Sequence, residues 1–176
     1  MNKLIILMGS MGAGKTTICN ELVKLGFVHL GIDHFYPKSK RDPTIKEFWK
    51  DQNYVDQAYQ LLFEAIQDNI KKTNVVVETT GGIQQAVDMS NKLNTKYKFL
   101  IKVPIKILKE RIKKRNASDY IVKSKLLNVN ATLRNIKELK PQINYTIDGN
   151  QETDKIVKEI LRIIIKNNKI KDLLSS

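Results

Sequence analysis

The feature that most constrains this chain is a glycine-rich stretch close to its amino terminus. An apolar run at Leu4–Met8 leads directly into the sequence GSMGAGKTT at 9–17, and a segment with helical periodicity follows. Glycines allow the backbone to turn its N–H groups inward without a clashing Cβ, and the start of the helix adds the positive end of its dipole. Placed between a strand and a helix, the stretch 9–17 predicts a loop that surrounds a phosphate group, called the phosphate loop below.

The side chains at the end of the phosphate loop have separate predicted roles. Lys15 supplies a point charge to the β- and γ-phosphates of a nucleotide, and the Thr16 hydroxyl is placed to ligate Mg²⁺. The expected ligands are therefore ATP and Mg²⁺. The residues predicted to bind the nucleotide are Gly9, Ser10, Met11, Gly12, Ala13, Gly14, Lys15, Thr16 and Thr17.

Five short apolar runs predict the fold class. They are read as strands at 4–8, 27–32, 75–78, 99–103 and 143–147, and helical patterns separate them. The clearest of these patterns is an apolar stripe that predicts a helix of about 18 residues. Its members are Val55, Tyr59, Leu62, Ile66 and Ile70. Strands that alternate with helices need crossover connections, so we expect a three-layer α/β fold with five parallel strands.

The organisation of the chain predicts one domain over 1–176, because no linker or repeat divides it. Within it we expect a flexible flap at about 113–128 and an acceptor-side insertion at about 33–54. No run approaches the length needed to cross a bilayer, and the single Cys19 argues against a disulfide framework. These features favour a cytoplasmic monomer or homodimer without membrane contact.

Two acids follow predicted strands, at the sheet edge where ligands of such folds bind. Asp33 comes after the second strand, where a carboxylate can accept the proton of an attacking hydroxyl. Glu78 ends the third strand, where it can complete a magnesium shell together with Thr16. The plainer alternatives are that Asp33 begins a turn before Pro37 and that Glu78 is only a charge at a strand end.

Basic and aromatic residues supply further candidates. Arg111 and Arg115 lie four apart near the end of a predicted helix and share one face, which suits stabilisation of a transferring phosphoryl group. The alternative is a basic helix end favoured by the helix dipole. Five aromatic residues between positions 35 and 54 predict either a ring-stacking acceptor pocket or a partly buried connection.

Taken together and in this order, the motifs resemble those of the P-loop kinases, a group that includes nucleoside, nucleotide, shikimate and gluconate kinases. The resemblance rests on the Walker A sequence at 9–17 and on GIDHFYP at 31–37, VVVETT at 75–80, RIKKR at 111–115 and YTIDGN at 145–150. The segment around Asp33 is similar to the D-x-F-[YF] segment of uridine-kinase-like enzymes, in which the Asp helps to activate the acceptor hydroxyl. The resemblance implies the strand order 2-3-1-4-5.

Three functions are consistent with these features. The leading one is an ATP-dependent phosphotransferase that moves the γ-phosphate to a hydroxyl or phosphate of a small molecule, nucleoside- or nucleotide-like. The second is a polynucleotide 5′-hydroxyl kinase, which would use the net charge of +13 to bind nucleic acid. The same charge is also explained by lysines spread over a solvated surface. The third is an ATP- or GTP-binding hydrolase or switch, although the string nearest to a guanine-reading motif, 91–94, lacks its Asp.

Overall fold

The computed structural model describes residues 2–36, 52–115 and 119–174, without the side chains of 119–124 and 168–174. The elements are β1 (Leu4–Met8), α1 (Lys15–Lys24), β2 (Phe27–Gly31), a short 3₁₀ helix (Ile32–His34), α2 (Gln52–Ile70), β3 (Asn74–Thr79), α3 (Gln84–Lys92), β4 (Tyr97–Lys102), α4 (Ile105–Arg115), α5 (Asp119–Leu139), β5 (Tyr145–Asp148) and α6 (Thr153–Leu174).

The five strands form one sheet in the order β2-β3-β1-β4-β5, and every neighbouring pair is parallel. The predicted α/β fold and the implied strand order are confirmed. Each predicted strand overlaps the observed one, and the boundaries differ by no more than two residues at either end. The differences arise because strand ends depend on pairing with neighbours, which apolar patterning alone does not specify.

β1 lies at the centre of the sheet and is apolar throughout because both of its faces are covered. Ile5 and Leu7 belong to one core cluster, which also includes residues of α1, α4, α5 and α6. Ile6 and Met8 belong to a second cluster, with residues of α2 and α3. Alternate side chains of one strand therefore anchor helices on opposite faces, which produces the three layers.

The helices match the apolar stripes only in part. In α2 the stripe from Val55 to Ile66 is buried and Ile70 is half-buried. In α4 the structure buries Leu108 and Ile112 but leaves Ile105 43% exposed, because Ile105 stands in the first turn of the helix. Neither α3 nor α5 was assigned individually from the sequence, since polar residues interrupt their apolar spacing.

The structure describes only part of the expected flap and only part of the expected acceptor-side insertion. Of the expected flap at 113–128, residues 113–115 end α4 and 119–128 belong to α5, whereas 116–118 lie outside the described residues. Most of the expected insertion at 33–54, namely 37–51, also lies outside them. In the part of the chain that is described, no helix has the length and apolar character that a membrane span requires.

Packing of α2 against the sheet gives a direct test of the fold. Leu62 is fully buried, whereas Leu61, the preceding residue, is 44% exposed. We expect Leu62→Ala to lower the free energy of unfolding by about 2–5 kcal/mol through lost burial and a cavity. Leu61→Ala, which removes the same atoms, should change it by less than about 0.5 kcal/mol. Urea denaturation measures both, and equal losses would contradict the described face of α2.

Candidate functional site

The phosphate loop joins the carboxyl end of β1 to the amino end of α1. Gly12 and Gly14 have φ angles of +82° and +90°, a region in which a side chain is strained. The amide of Ala13 donates to the Ser10 carbonyl over 3.1 Å, which closes a tight turn. Because α1 begins at Lys15, directly after Gly14, its first-turn amides point toward the same edge of the sheet. The loop therefore has the backbone form that an anion site requires.

Lys15 is an unusual residue for the interior, since it is only 7% exposed. Its Nζ donates to the Ser10 carbonyl over 3.2 Å and lies 3.8 Å from Oε1 of Glu78. Burial lowers the pKa of Lys15, and the attraction of Glu78 opposes that shift. A buried ammonium is costly unless anions near it compensate for the lost hydration. The site is thus electrostatically suited to a phosphate.

Glu78 connects three elements around Lys15. Its Oε1 accepts a hydrogen bond of 2.9 Å from the Thr16 hydroxyl, and its Oε2 lies 3.3 Å from Nε2 of His29. Burial acts to raise the pKa of Glu78, but the His29 contact, the Lys15 charge and the Thr16 hydroxyl outweigh it and hold that pKa below the ordinary value. An ionised carboxylate beside a hydroxyl is the pair of oxygen ligands that Mg²⁺ prefers, so Thr16 and Glu78 fit a magnesium site.

A cavity of about 290 Å³, the phosphate cavity, opens beside these residues. It is bordered by the phosphate loop, by the end of β2 with Asp33, by Glu78 and by Arg115. Asp33 occupies the 3₁₀ helix that directly follows β2, and its charge acts on Lys15. Residues as far apart in the sequence as Met11 and Arg115 meet here because the carboxyl ends of parallel strands share one edge.

The two histidines of the chain, His29 and His34, also border the phosphate cavity, and no sequence motif indicates either of them. His29 lies in β2, with its side chain 13% exposed, and its ring is 5.7 Å from the ring of His34 in an edge-to-face arrangement. Alternation along β2 could have placed His29 on the same face as Glu78. It could not have shown that α1 and β3 enclose that face.

The two arginines predicted to share one face of a helix have different surroundings in the structure. Arg111 donates from Nη1 to the Gly12 carbonyl over 3.3 Å and from Nη2 to the Gly149 carbonyl over 3.1 Å. It thereby links the phosphate loop to the turn after β5, beside a second cavity of about 120 Å³. Arg115 is exposed and borders both cavities. Of the pair, Arg115 alone borders the phosphate cavity.

The remaining sequence candidates are two aromatic residues before position 37, two that lie in the range 37–51, and the string 91–94. Phe35 and Tyr36 pack against the core cluster beneath α2, whereas Phe48 and Trp49 lie outside the described residues. The string 91–94 precedes β4 and therefore lies at the amino edge of the sheet, opposite the phosphate loop. A base bound near the phosphate loop is out of its reach.

Comparison with solved structures defines the class of this fold. The chain is similar to shikimate kinase from Acinetobacter baumannii, with a TM-score of 0.67, 21% identity and coverage of 95% of each chain. It is similar to the tunicamycin resistance protein of Deinococcus radiodurans, with a TM-score of 0.67, 15% identity and coverage of 93% of this chain and 96% of that one. It is also similar to deoxyadenosine kinase from M. mycoides, with a TM-score of 0.61, 18% identity and coverage of 92% of this chain and 98% of that one.

The fold of this chain is therefore the one shared by the shikimate and deoxyadenosine kinases named above. The family model described as an AAA domain matches residues 5–131, and the chain belongs to that family. No curated protein matches the sequence significantly. At the identities found, the likeness to solved structures concerns the fold.

The bridging position of Arg111 leads to a prediction about stability. A lysine ammonium cannot reach both carbonyls in the manner of a planar guanidinium, so Arg111→Lys should lower the free energy of unfolding by about 1–3 kcal/mol. Arg115→Lys, the same exchange one turn later at an exposed position, should change it by less than about 0.5 kcal/mol. Chemical denaturation of both variants tests this, and indistinguishable values would show that the bridge contributes nothing.

The environment of Glu78 leads to a prediction about how stability changes as the pH falls. Because its pKa is held below the ordinary value of 4.5, ionised Glu78 contributes stability above that value, and the contribution is lost as pH falls through the lowered pKa. Wild type should therefore be more stable than Glu78→Gln near neutral pH, and the gap should shrink below pH 4.5. Urea melts from about pH 7 to about pH 3 measure it.

The control for this experiment is Glu138→Gln, which removes an exposed acid that is 63% accessible and lies 3.8 Å from Arg134. Surface ion pairs of this kind contribute little to stability, so wild type and Glu138→Gln should have similar free energies of unfolding at neutral pH. A Glu78→Gln gap that stays constant across the acid range would refute the assigned role of the ionised carboxylate.

Proposed function

We propose that the protein is a kinase that transfers the γ-phosphate of ATP to a hydroxyl of a small, nucleoside- or nucleotide-like molecule. One observation carries the proposal, namely that Lys15, Thr16, Glu78 and Asp33 converge on a single cavity at the carboxyl edge of the sheet. A plain nucleotide-binding module needs the first three, for phosphate and metal. The carboxylate of Asp33 on the far wall adds a group that can serve an acceptor.

In this proposal the nucleotide lies along the phosphate loop. The loop amides and the Lys15 ammonium hold the β- and γ-phosphates, and the base lies toward the second cavity, beside Arg111 and Gly149. Thr16 and Glu78 would hold Mg²⁺, which when bound neutralises charge on the phosphate oxygens. The exposed Arg115 borders both cavities and can approach the transferring phosphoryl group to offset its charge.

Asp33 favours a hydroxyl over a phosphate as the acceptor. A phosphate acceptor already carries an anionic nucleophile and calls for cationic partners. A hydroxyl must instead lose a proton as it attacks, and a carboxylate can orient it and accept that proton. Among the similar structures are a shikimate kinase and a deoxyadenosine kinase, and the compounds in these names both carry hydroxyl groups, which supports a hydroxyl acceptor here.

A transfer assay with γ-labelled ATP tests the function. Pools of nucleosides, nucleotides, sugars and polyhydroxy acids, together with short oligonucleotides, serve as acceptors, and the label should appear on a small hydroxyl compound. Label on oligonucleotide 5′ ends, with affinity that falls steeply with salt, would instead identify a polynucleotide kinase. Release of inorganic phosphate in every pool, with no labelled acceptor, would identify a hydrolase and overturn the proposal.

The division of work between Lys15 and Asp33 gives a kinetic prediction. Lys15→Met should lower turnover by about 10²–10³, and the gain in melting temperature on adding Mg·ATP should be lost. Asp33→Asn should lower turnover by about 10²–10⁴ with little effect on ATP affinity. Steady-state rates and nucleotide titrations separate the two effects.

The matched control is Asp68→Asn, at an acid near the end of α2 that is 70% exposed and pairs with Lys71. It removes the same charge from the chain and should leave turnover unchanged. If Asp33→Asn weakens ATP binding as much as it slows transfer, then Asp33 acts on the nucleotide or the metal and has no role toward the acceptor.

A further inference from the structure

Three side chains from three elements meet behind the phosphate cavity. Cys19 lies one turn after Lys15 in α1, His29 lies in β2 and Glu78 lies in β3. One ligand atom of each lies within 4.8 Å of the others. The sheet register explains the meeting, because His29 pairs with Val76 and Glu78 follows two residues later on the same face. Cys19 faces them because it lies on the side of α1 that carries Lys15.

We propose that Cys19, His29 and Glu78 form a site for a borderline transition-metal cation, with Zn²⁺ as the type case, distinct from the Mg²⁺ site on Thr16 and Glu78. A thiolate, an imidazole nitrogen and a carboxylate are the donors that Zn²⁺ takes, whereas Mg²⁺ takes oxygen alone. Three protein ligands leave a fourth position, and His29 and Glu78 both border the phosphate cavity, where water or a phosphate oxygen can fill it.

The spacing of the donors suits such an ion. Tetrahedral zinc, with bonds of about 2.0–2.3 Å, places its ligand atoms about 3.3–3.6 Å apart. Nε2 of His29 and Oε2 of Glu78 are already 3.3 Å apart. Because the Cys19 sulfur lies within 4.8 Å of the other two donor atoms, it must approach them by at most about 1.5 Å to reach zinc-ligand spacing. Rotation of a cysteine or glutamate side chain covers such a distance without a change in the backbone.

The bonding state of the donors points the same way. Nε2 of His29 is enclosed and forms no hydrogen bond of good geometry within the described part of the chain, although the Glu78 oxygen is close. Buried polar atoms are normally satisfied, so such an atom marks a position where a further partner fits. Cys19 is a free thiol and fully buried, whereas His29 and Glu78, the other two donors, border the phosphate cavity.

Two features of the site lower its expected affinity for a metal cation. Burial raises the pKa of the Cys19 thiol, so the metal must displace a proton, which passes to solvent as the metal–sulfur bond forms. The Lys15 ammonium is 3.8 Å from Glu78 and repels a cation. We therefore expect reversible binding, weaker than that of a structural zinc site.

Occupancy of this site would affect the reaction, and this part of the inference rests on the proposed function. Glu78 is shared, since its Oε1 contacts Thr16 and its Oε2 faces His29. A metal held by Cys19 and His29 draws Glu78 away from Thr16. Zinc should then inhibit phosphate transfer, and removal of the thiol should relieve the inhibition.

The test uses nucleotide-free, reduced protein titrated with Co²⁺, which takes zinc sites and reports its ligands by colour. We expect a sulfur-to-cobalt charge-transfer band in the near ultraviolet, visible bands of tetrahedral type, and loss of both on adding Zn²⁺. Cys19→Ala should abolish the charge-transfer band and weaken binding by at least about 10-fold, and His29→Gln should weaken it similarly. Ser90→Ala is the matched control, because Ser90 is equally buried, small and without a hydrogen bond of its hydroxyl in the described structure.

Thermal melts show whether each variant is folded. If Cys19→Ala is destabilised, the loss of Co²⁺ affinity in His29→Gln tests the site independently. Cobalt that binds without a sulfur band, or that binds folded Cys19→Ala as tightly as wild type, would overturn the site. These readings need no nucleotide or acceptor, so they are separate from the transfer assay. A cobalt site in a protein that phosphorylates nothing would support the metal site and contradict the kinase proposal.

Discussion

Burial of the Lys15 ammonium at the point where α1 leaves the phosphate loop is the constraint on which the site depends. A buried cation lowers stability unless anions surround it, and the protein provides only part of that compensation through Glu78 and the Ser10 carbonyl. The loop amides and the end of the α1 dipole point into the same space. These groups together form a positively polarised space that suits the phosphates of the nucleotide proposed above.

Arg111 connects the phosphate loop to the loop that follows β5, the last strand of the sheet. By donating to carbonyls of Gly12 and Gly149, it joins the phosphate loop to the turn that follows β5, although 137 positions separate these two glycines. The Arg111 guanidinium is thereby engaged by backbone carbonyls, whereas Arg115 is exposed and borders both cavities. A sequence pattern of two arginines on one helical face cannot distinguish these roles, because they depend on what packs against each turn.

Much of the fold could be predicted because its signals are local. The apolar run of β1, the glycines that follow it and the apolar stripe of α2 each act over fewer than 20 residues, and the structure has a strand, a loop and a helix there. α5 was not assigned because its spacing of apolar residues is diluted by Asn and Lys. Its helix depends on packing, as shown by Val129 in the core and by Asn135, which donates to the Gly82 carbonyl.

By itself, the sequence determined that this chain forms a parallel α/β sheet with a phosphate loop at its first turn, because glycine, lysine and threonine at fixed spacing impose one backbone form. It also indicated the acids at two strand ends. Only the tertiary structure decided that Glu78 lies between Thr16 and His29, that Cys19 faces them, and that Arg111 donates to the Gly12 and Gly149 carbonyls. Such contacts join residues far apart in the chain, and strand register and helix packing set them, neither of which a local pattern contains.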